Sequence, residues 1–100
     1  MARVHRTEPA KRDYHSIWSY IAERNVTAAD RLLRKIDEKL DAYAEWPGMG
    51  RLRTEFGPAI RTFTVGDYVV FYRPVQDGIE LLRVIHGMRD LHRAFRSDET

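Results

Sequence analysis

The feature that most constrains the fold is a run of three β-prone segments joined by two short turns in the second half of the chain. Residues 60–65 alternate polar and apolar side chains, and residues 68–75 and 79–86 are rich in aromatic and β-branched residues. The dipeptides between them, Gly66-Asp67 and Asp77-Gly78, are typical of tight hairpins. Segments joined this closely pair with their neighbours in sequence, so the pattern predicts a three-stranded antiparallel meander.

Two amphipathic helices are predicted before the meander. Residues 7–9, Thr-Glu-Pro, supply a cap, an acid and a proline in the order that opens a helix, and apolar residues then recur at helical spacing over residues 8–24. Thr27, three residues before an acid, is predicted to start a second helix, and Pro47 to stop it. The short connection folds the helices into an antiparallel hairpin that needs the sheet to bury its remaining apolar face.

Together these elements predict an α+β fold of order β-α-α-β-β-β, with the antiparallel sheet packed on the helical hairpin. Residues 2–6 can add an edge strand, and residues 47–58 are predicted as a loop. Residues 88–95 place apolar side chains on one face and predict a short C-terminal helix. We expect one domain over residues 1–96, followed by a polar tail at 97–100.

Composition excludes several classes of protein. The chain has no cysteine, which excludes disulfides and thiolate chemistry and favours a reducing compartment. A net charge of +2 from 17 basic and 15 acidic residues is too balanced for a general nucleic-acid binder, so no sequence-specific nucleic-acid binding is expected. No apolar run is long enough to cross a membrane, and no signal peptide is visible. We therefore expect a soluble cytoplasmic protein without a membrane partner.

Familiar catalytic and cofactor motifs are missing from the sequence. The four histidines are not at the close spacing of metal ligands, and the glycines at positions 48 and 50 lack the Lys-Ser/Thr of a phosphate-binding loop. The serines lie outside any nucleophile elbow. The sequence predicts neither a metal site nor a cofactor.

A polar cluster follows the last predicted strand. Arg83, His86, Arg89 and Asp90 lie around Gly87, where the chain is predicted to turn from strand to helix. The cluster could form an active site or a contact surface for an anionic or protein partner. It could equally be a structural junction in which Asp90 pairs with an arginine or caps the helix.

RNA cleavage is the enzymatic activity that this set of residues best allows. It needs acid–base groups and cations, which Arg61, Arg73, Arg83, His86 and Tyr72 could supply. Alternation along a strand, however, puts Arg83 and His86 on opposite faces of the sheet. The spacing therefore leaves catalysis open.

The aromatic residues of the central strand are predicted to fill the core rather than to stack on bases. This applies to Tyr68, Phe71 and Tyr72, and the same packing role is predicted for Trp18 and Trp46.

Five ordered segments resemble the ParE branch of the RelE/ParE toxin family. They are residues 17–25 (IWSYIAERN), 28–33 (AADRLL), 47–51 (PGMGR), 65–73 (VGDYVVFYR) and 83–91 (RVIHGMRDL). The resemblance runs from about Thr7 to Leu91 and implies the same β-α-α-β-β-β fold. It also implies the toxin of a bacterial type II toxin–antitoxin pair, which in the ParE branch inhibits DNA gyrase and in the RelE branch cuts mRNA on the ribosome.

The C-terminal segment favours the ParE branch. RelE-like nucleases resemble one another in carrying a C-terminal tyrosine, but residues 91–100 contain none. Phe95 cannot exchange a proton, whereas His92 can. We therefore expect no catalytic residues; if the chain were an RNase, the resemblance points to Arg61, Arg73, Arg83 and His92.

The resemblance further implies a ParD-like antitoxin that folds onto the toxin, and DNA gyrase as target. Candidates for antitoxin binding are Trp18, Ile21, Leu33, Phe63, Tyr72 and Arg73. Candidates for target binding are Arg83, His86, Arg89 and Asp90, whose replacement is expected to abolish toxicity and spare antitoxin binding. An inactive toxin that only binds its antitoxin is a third possibility.

Overall fold

The computed structural model describes residues 1–97, which form three α-helices and one five-stranded sheet. The strands are β1 (Arg3–Arg6), β2 (Arg51–Leu52), β3 (Arg61–Val65), β4 (Tyr68–Val75) and β5 (Gly78–His86). The helices are α1 (Glu8–Ala22), α2 (Val26–Glu45) and α3 (Leu91–Arg96), and one 3₁₀ turn covers Pro47–Met49. The sheet order β1-β5-β4-β3-β2 confirms the predicted α+β fold and its antiparallel meander.

The N-terminal strand makes the sheet mixed rather than wholly antiparallel. β1 pairs in parallel with β5, because the helical hairpin carries the chain back across the sheet before the meander begins. Arg3 lies opposite Gly78, and its amide donates to the carbonyl of Asp77 at 2.8 Å. Gly78 has φ 153°, and a Cβ there would collide with the backbone of Arg3. A glycine is therefore required where the first strand joins the last.

Side-chain caps decide where the helices begin. The Thr7 side chain accepts from the amide of Ala10 at 3.2 Å, as predicted for α1. The second helix is capped two residues earlier than predicted and begins at Val26, because Asn25 accepts from the amide of Ala28 at 2.9 Å and takes the capping role predicted for Thr27. Asp90 caps α3 in the same way, so that helix begins at Leu91 rather than at residue 88.

The two faces of the sheet bury different clusters. The helical hairpin covers one face, where Val70, Tyr72, Leu81 and Val84 of the sheet share a core with α2 residues such as Ile36.

The opposite face of the sheet is covered by α3. There Phe71 and Ile85 are buried against Ala94 and Phe95. A β-bulge at Leu82 shifts the β4–β5 register, so that Phe71 lies opposite Arg83 and Tyr72 opposite Leu81. The centre of the sheet is therefore buried on both faces.

Two local expectations were wrong. The predicted loop 47–58 contains β2, whose two residues pair with β3. Trp46 is 72% exposed rather than part of the core, because it follows the last turn of α2, beyond the helical face that meets the sheet. The first residue of the predicted polar tail, Ser97, is tied to the domain by a hydrogen bond from Arg83, and the rest of that tail lies outside the described residues. No helix within residues 1–97 is long and apolar enough to span a membrane.

Candidate functional site

Arg83 forms a buried ion pair with Asp13 of α1. Its Nε and Nη2 donate to the two carboxylate oxygens at 2.7 and 3.0 Å, and the amide of Val84 donates to the same carboxylate at 2.9 Å. Arg83 and Asp13 are only 6% and 8% exposed. The carboxylate can reach the amide of Val84 because β1 pairs only with residues 78–81 of β5, which leaves that edge of the strand open beyond Leu81.

The same guanidinium also caps the end of α3. Nη1 donates to the carbonyls of Ala94 and Ser97, each at 2.6 Å. A cation at a helix C-terminus satisfies carbonyls that lack intrahelical partners and interacts favourably with the helix dipole. Arg83, predicted to contact a target, is therefore an internal link between α1, β5 and α3, and it is not exposed to a partner.

Two of the other target-binding candidates, His86 and Arg89, line an open groove of about 850 Å³. Its floor consists of apolar residues from both helices and the sheet, namely Ile17, Ile21, Leu32, Tyr68 and Val84. Its rim is polar and includes Ser16, Tyr20, Asp67, His86 and Arg89, and the buried Asp13 also lines the groove. We call this feature the hairpin groove. An apolar floor with a polar rim is typical of a site that binds another protein.

His86 is fixed at the rim by two contacts. Its Nδ1 lies 3.1 Å from the amide of Met88, so that nitrogen accepts and the neutral ring carries its proton on Nε2. Its ring meets the edge of Tyr68 at 5.1 Å. Burial, and then the neighbouring Tyr20 and Asp67, raises the pKa of Tyr68, which keeps its phenol neutral. The rim therefore presents hydrogen-bonding groups in fixed positions.

Arg89 and Asp90 are exposed beside His86 in the turn that leads to α3. The carboxylate of Asp90 accepts from the amide of Arg93 at 3.2 Å, so its first role is to cap α3. Arg89 lines the groove and has no ion-pair partner within residues 1–97, which leaves its guanidinium available for an acidic group. Of the four candidates, His86 and Arg89 are brought together at the groove, and Arg83 is separated from them by burial.

The antitoxin-binding candidates are scattered over the molecule. Ile21 lines the hairpin groove, and Leu33 is half-buried against the main core. Trp18 donates through Nε1 to Asp30 of α2 at 2.8 Å, so its ring helps to hold the two helices together. Phe63 is 7% exposed and stacks on a neighbouring tyrosine in the core. Phe63 was wrongly chosen as a surface residue, because its side of β3 faces the helices.

Tyr72 was also wrongly predicted as a contact residue, because it is completely buried. Its hydroxyl donates to the carbonyl of Pro47 at 2.6 Å and accepts from the amide of Gly50 at 2.9 Å. Burial raises the pKa of Tyr72 and keeps the donating proton in place. The side chain fixes the path of the chain between α2 and β2.

The candidate nuclease residues do not converge on one site. Arg61 lies opposite Tyr72, on the face of the sheet that the helical hairpin covers. Its Nη1 donates to the carbonyls of Gly48 and Gly50 at 3.2 and 2.7 Å. Arg61 is therefore engaged in holding the turn before β2.

The remaining nuclease candidates are on the other face but are separated there. Arg73 donates to Glu80 at 2.8 Å, His92 stacks on Phe56 with ring centres 4.6 Å apart, and Arg83 is buried beneath α3. As predicted from strand alternation, Arg83 and His86 lie on opposite faces of β5. Among the described residues, no cluster of His, Cys, Asp or Glu could hold a metal ion.

Comparison with known proteins identifies the family. A family model described as ParE toxin of the type II toxin-antitoxin system parDE matches residues 4–91. The chain belongs to the ParE toxin family. It is 32% identical to Toxin ParE3 of Caulobacter vibrioides over 91% of this chain and 92% of that protein, and 31% identical to Toxin ParE1 of Mycobacterium tuberculosis over 84% and 88%.

A solved structure supports the fold. The solved structure titled "Chromosomal ParDE TA system from P. aeruginosa" superimposes with a TM-score of 0.70 at 21% identity, covering 86% of this chain and 96% of that one. At this identity the likeness concerns the fold.

In this ParE-family chain, sequence reasoning missed Asp13. The signal was present, because Ala10, Asp13 and Ile17 recur at helical spacing on the buried side of α1. A carboxylate on an apolar helix face needs a buried cation, and a buried arginine needs a carboxylate. Tyr20 and Asp67 at the groove rim were missed as well, since they reach it from elements that are distant in sequence.

Proposed function

We propose that this ParE-family toxin acts by binding its target and not by catalysis, and that the target is DNA gyrase. The observation that carries the proposal is the burial of Arg83 beneath α3, in contact with Asp13 and with the helix end. That helix covers the part of the sheet face around Arg83, which separates Arg83 from the exposed Arg73 and His92. A nuclease site would require that face to be open.

The contact surface that we assign to the target is the end of the hairpin groove around His86 and Arg89. Both side chains are accessible, and His86 is held in position by Met88 and Tyr68. Arg89 offers a planar cation to a carboxylate of the target. Fixed polar groups beside an apolar floor favour specific protein recognition.

We further propose that a ParD-like antitoxin neutralises the toxin by occupying the hairpin groove. An amphipathic helix placed on Ile17, Ile21 and Leu32 would bury apolar surface that is open in the free toxin. The same helix would cover His86 and Arg89 at the rim. Neutralisation would then follow from direct competition for one surface.

A supercoiling assay with purified gyrase tests the target. We expect the wild-type protein to inhibit supercoiling and to trap cleaved DNA, and Arg89→Ala to require about tenfold more protein, the effect of one lost contact of about 1.4 kcal/mol. Arg34→Ala is the matched control, since Arg34 is an exposed arginine of α2 that does not line the groove. Absence of both inhibition and cleavage at excess toxin refutes gyrase as the target.

Two experiments test the alternative functions, mRNA cleavage and an inactive toxin. Cleavage of mRNA on programmed ribosomes by this protein would establish the RelE-like activity and refute the non-enzymatic proposal. Unaffected growth of a bacterial host despite good expression would establish an inactive toxin that serves only as an antitoxin partner.

A further inference from the structure

The outer edge of the sheet is open at one residue of β3. Val65 and Tyr68 flank a two-residue turn, so their backbone groups bond to each other. In an antiparallel pair, hydrogen-bonded and non-hydrogen-bonded residues alternate along the strand. The amide and carbonyl of Thr64, the next residue, therefore point away from β4. Ile60 lies four residues before Thr64, so its backbone groups should also point away from β4. Its carbonyl does so, because it accepts from the amide of Arg53 at 2.8 Å. Within residues 1–97 no strand pairs with Thr64 from outside.

The neighbouring strand stops short of Thr64 for a structural reason. β2 pairs only with Arg61 and Thr62, because the chain before it turns away at Pro47–Met49. The buried Tyr72 hydroxyl holds that turn through Pro47 and Gly50. The opening is thus fixed by the core and cannot be closed by a small extension of β2.

A cleft of about 510 Å³ straddles this edge and is lined by cations. Lys39 of α2 lies on one side, and Arg51 and Arg53 of the β2 segment lie on the other. Arg53 pairs with Glu55 at 2.9 Å, but Lys39 and Arg51 have no ion-pair partner within the described residues. None of the described residues that line the cleft is acidic.

The acidic residues of α2 that make ion pairs or side-chain hydrogen bonds lie on the side of the helix away from this cleft. Asp30 accepts from Trp18, and Asp37 accepts from Arg6 and Tyr14, both near α1 and β1. Lys39 is therefore left to face the sheet edge. An unpaired backbone edge with cations above and below it fits an extended strand that carries carboxylates.

We propose that the open edge at Thr64 binds an extended acidic segment of a partner protein, which pairs with β3 and directs carboxylates to Lys39 and Arg51. The proposal does not depend on the target or the antitoxin discussed above.

Binding partners other than an acidic strand fit the open edge at Thr64 poorly. A second copy is disfavoured, because pairing two β3 edges would bring the cations of both copies together. Single-stranded nucleic acid lacks the backbone groups of a β-ladder, and the ring of Tyr43 is already stacked on Phe63 at 4.1 Å and is not free for a base.

Titration of the ¹⁵N-labelled protein with short blocked peptides tests the proposal. The probe alternates Glu with Thr; one control peptide replaces Glu with Gln, and another keeps Glu but carries N-methyl groups that prevent strand pairing. We expect the Glu peptide to shift the amide of Thr64 at millimolar concentration and to bind about fivefold more tightly than the Gln peptide, the effect of two exposed ion pairs. The N-methylated peptide is expected not to bind.

Protein variants locate the effect. Lys39→Gln combined with Arg51→Gln should remove the preference for Glu, whereas Lys35→Gln, an exposed lysine one turn away that does not line the cleft, should preserve it. Unchanged amide spectra elsewhere verify that each variant is folded. An unmoved Thr64 amide, equal binding of the N-methylated peptide, or an oligothymidylate that shifts Thr64 more strongly than the Glu peptide would each overturn the proposal.

Discussion

At the scale of single residues, Arg83 shows how one buried side chain can connect three elements without being exposed to a partner. Its guanidinium uses one edge for Asp13 and the other for the carbonyls at the end of α3. A loss of toxicity in an Arg83 variant would therefore report on folding. This revises the expectation that Arg83 and Arg89 act together in a contact surface.

Breaking the buried pair should be far more costly than breaking an exposed one. We expect Asp13→Ala to lower the free energy of unfolding by about 3–5 kcal/mol, because Arg83 is left buried without its counter-charge. Arg73→Ala, which breaks the half-exposed pair with Glu80, should cost less than about 1 kcal/mol. Urea unfolding measures the loss of stability in both variants. Equal losses would contradict the claim that the buried Asp13–Arg83 pair contributes more than an exposed one.

Tyr72 allows a second test with a closely matched control. Tyr72→Phe removes the hydroxyl that bonds Pro47 and Gly50 and should cost about 1–3 kcal/mol, since a buried amide and carbonyl lose their partner. Tyr43→Phe, in the adjacent ring, should cost less, because no side-chain hydrogen bond of Tyr43 is found among residues 1–97. Thermal unfolding of the two variants compares them directly, and the reverse order would contradict the role given to Tyr72.

At the scale of elements, α3 is held in place by its surroundings. A helix of six residues is too short to be stable alone, so its order comes from Phe95, Leu91 and the guanidinium beneath it. Phe95→Ser should therefore speed hydrogen exchange in residues 91–96 and leave α2 protected. Arg96→Ala, at an exposed position of the same helix, is the control. Global loss of protection in the Phe95 variant would show that α3 does not open separately.

The cations beside the β3 edge predict a change in self-association. Lys39→Thr with Arg51→Thr removes the repulsion between two open edges, and we expect a larger dimer fraction than in the wild type. Sedimentation velocity at several protein concentrations measures it. A second Thr substitution pair at the exposed Arg31 and Arg34 changes the net charge equally and should leave association unchanged.

Prediction from sequence succeeded where local patterns decide the structure. Gly66-Asp67 marked the first hairpin, and Thr7 marked the start of α1. Asp77-Gly78 marked the second hairpin to within one residue, because its turn consists of Gln76 and Asp77 and Gly78 already belongs to β5. Prediction failed where distant residues decide: Asp13 lies on the apolar side of α1, but its partner Arg83 is 70 positions away and no local pattern links the two. The cap at Asn25 was missed because Asn and Thr compete on nearly equal terms for that role.

At the scale of the whole molecule, the hairpin groove brings together residues that were assigned to two different surfaces. Ile21 was expected to bind an antitoxin and His86 and Arg89 a target, yet all three line one groove. Under the proposed function, the two partners must exclude each other. Antitoxin binding would then be weakened by the same substitutions that weaken the toxin, contrary to the expectation that it would be spared.

Competition measurements test this exclusion. We expect immobilised gyrase to release the toxin when cognate antitoxin is added, and Arg89→Ala to weaken both complexes. Arg34→Ala should affect neither complex. Simultaneous binding of toxin to both partners would show that the two surfaces are separate.

The parallel pair of β1 and β5 sets the order in which the protein can be completed during synthesis. The first strand of the chain has its partner at Gly78 and the residues after it, so β1 waits unpaired until nearly the whole chain has been made. β5 also supplies Val84 and His86, which line the hairpin groove, and Arg83, which caps the end of α3. A ribosome that stalls before that strand therefore releases a chain with no closed sheet and no complete groove. On this architecture, we expect a translation product that lacks β5 not to be toxic.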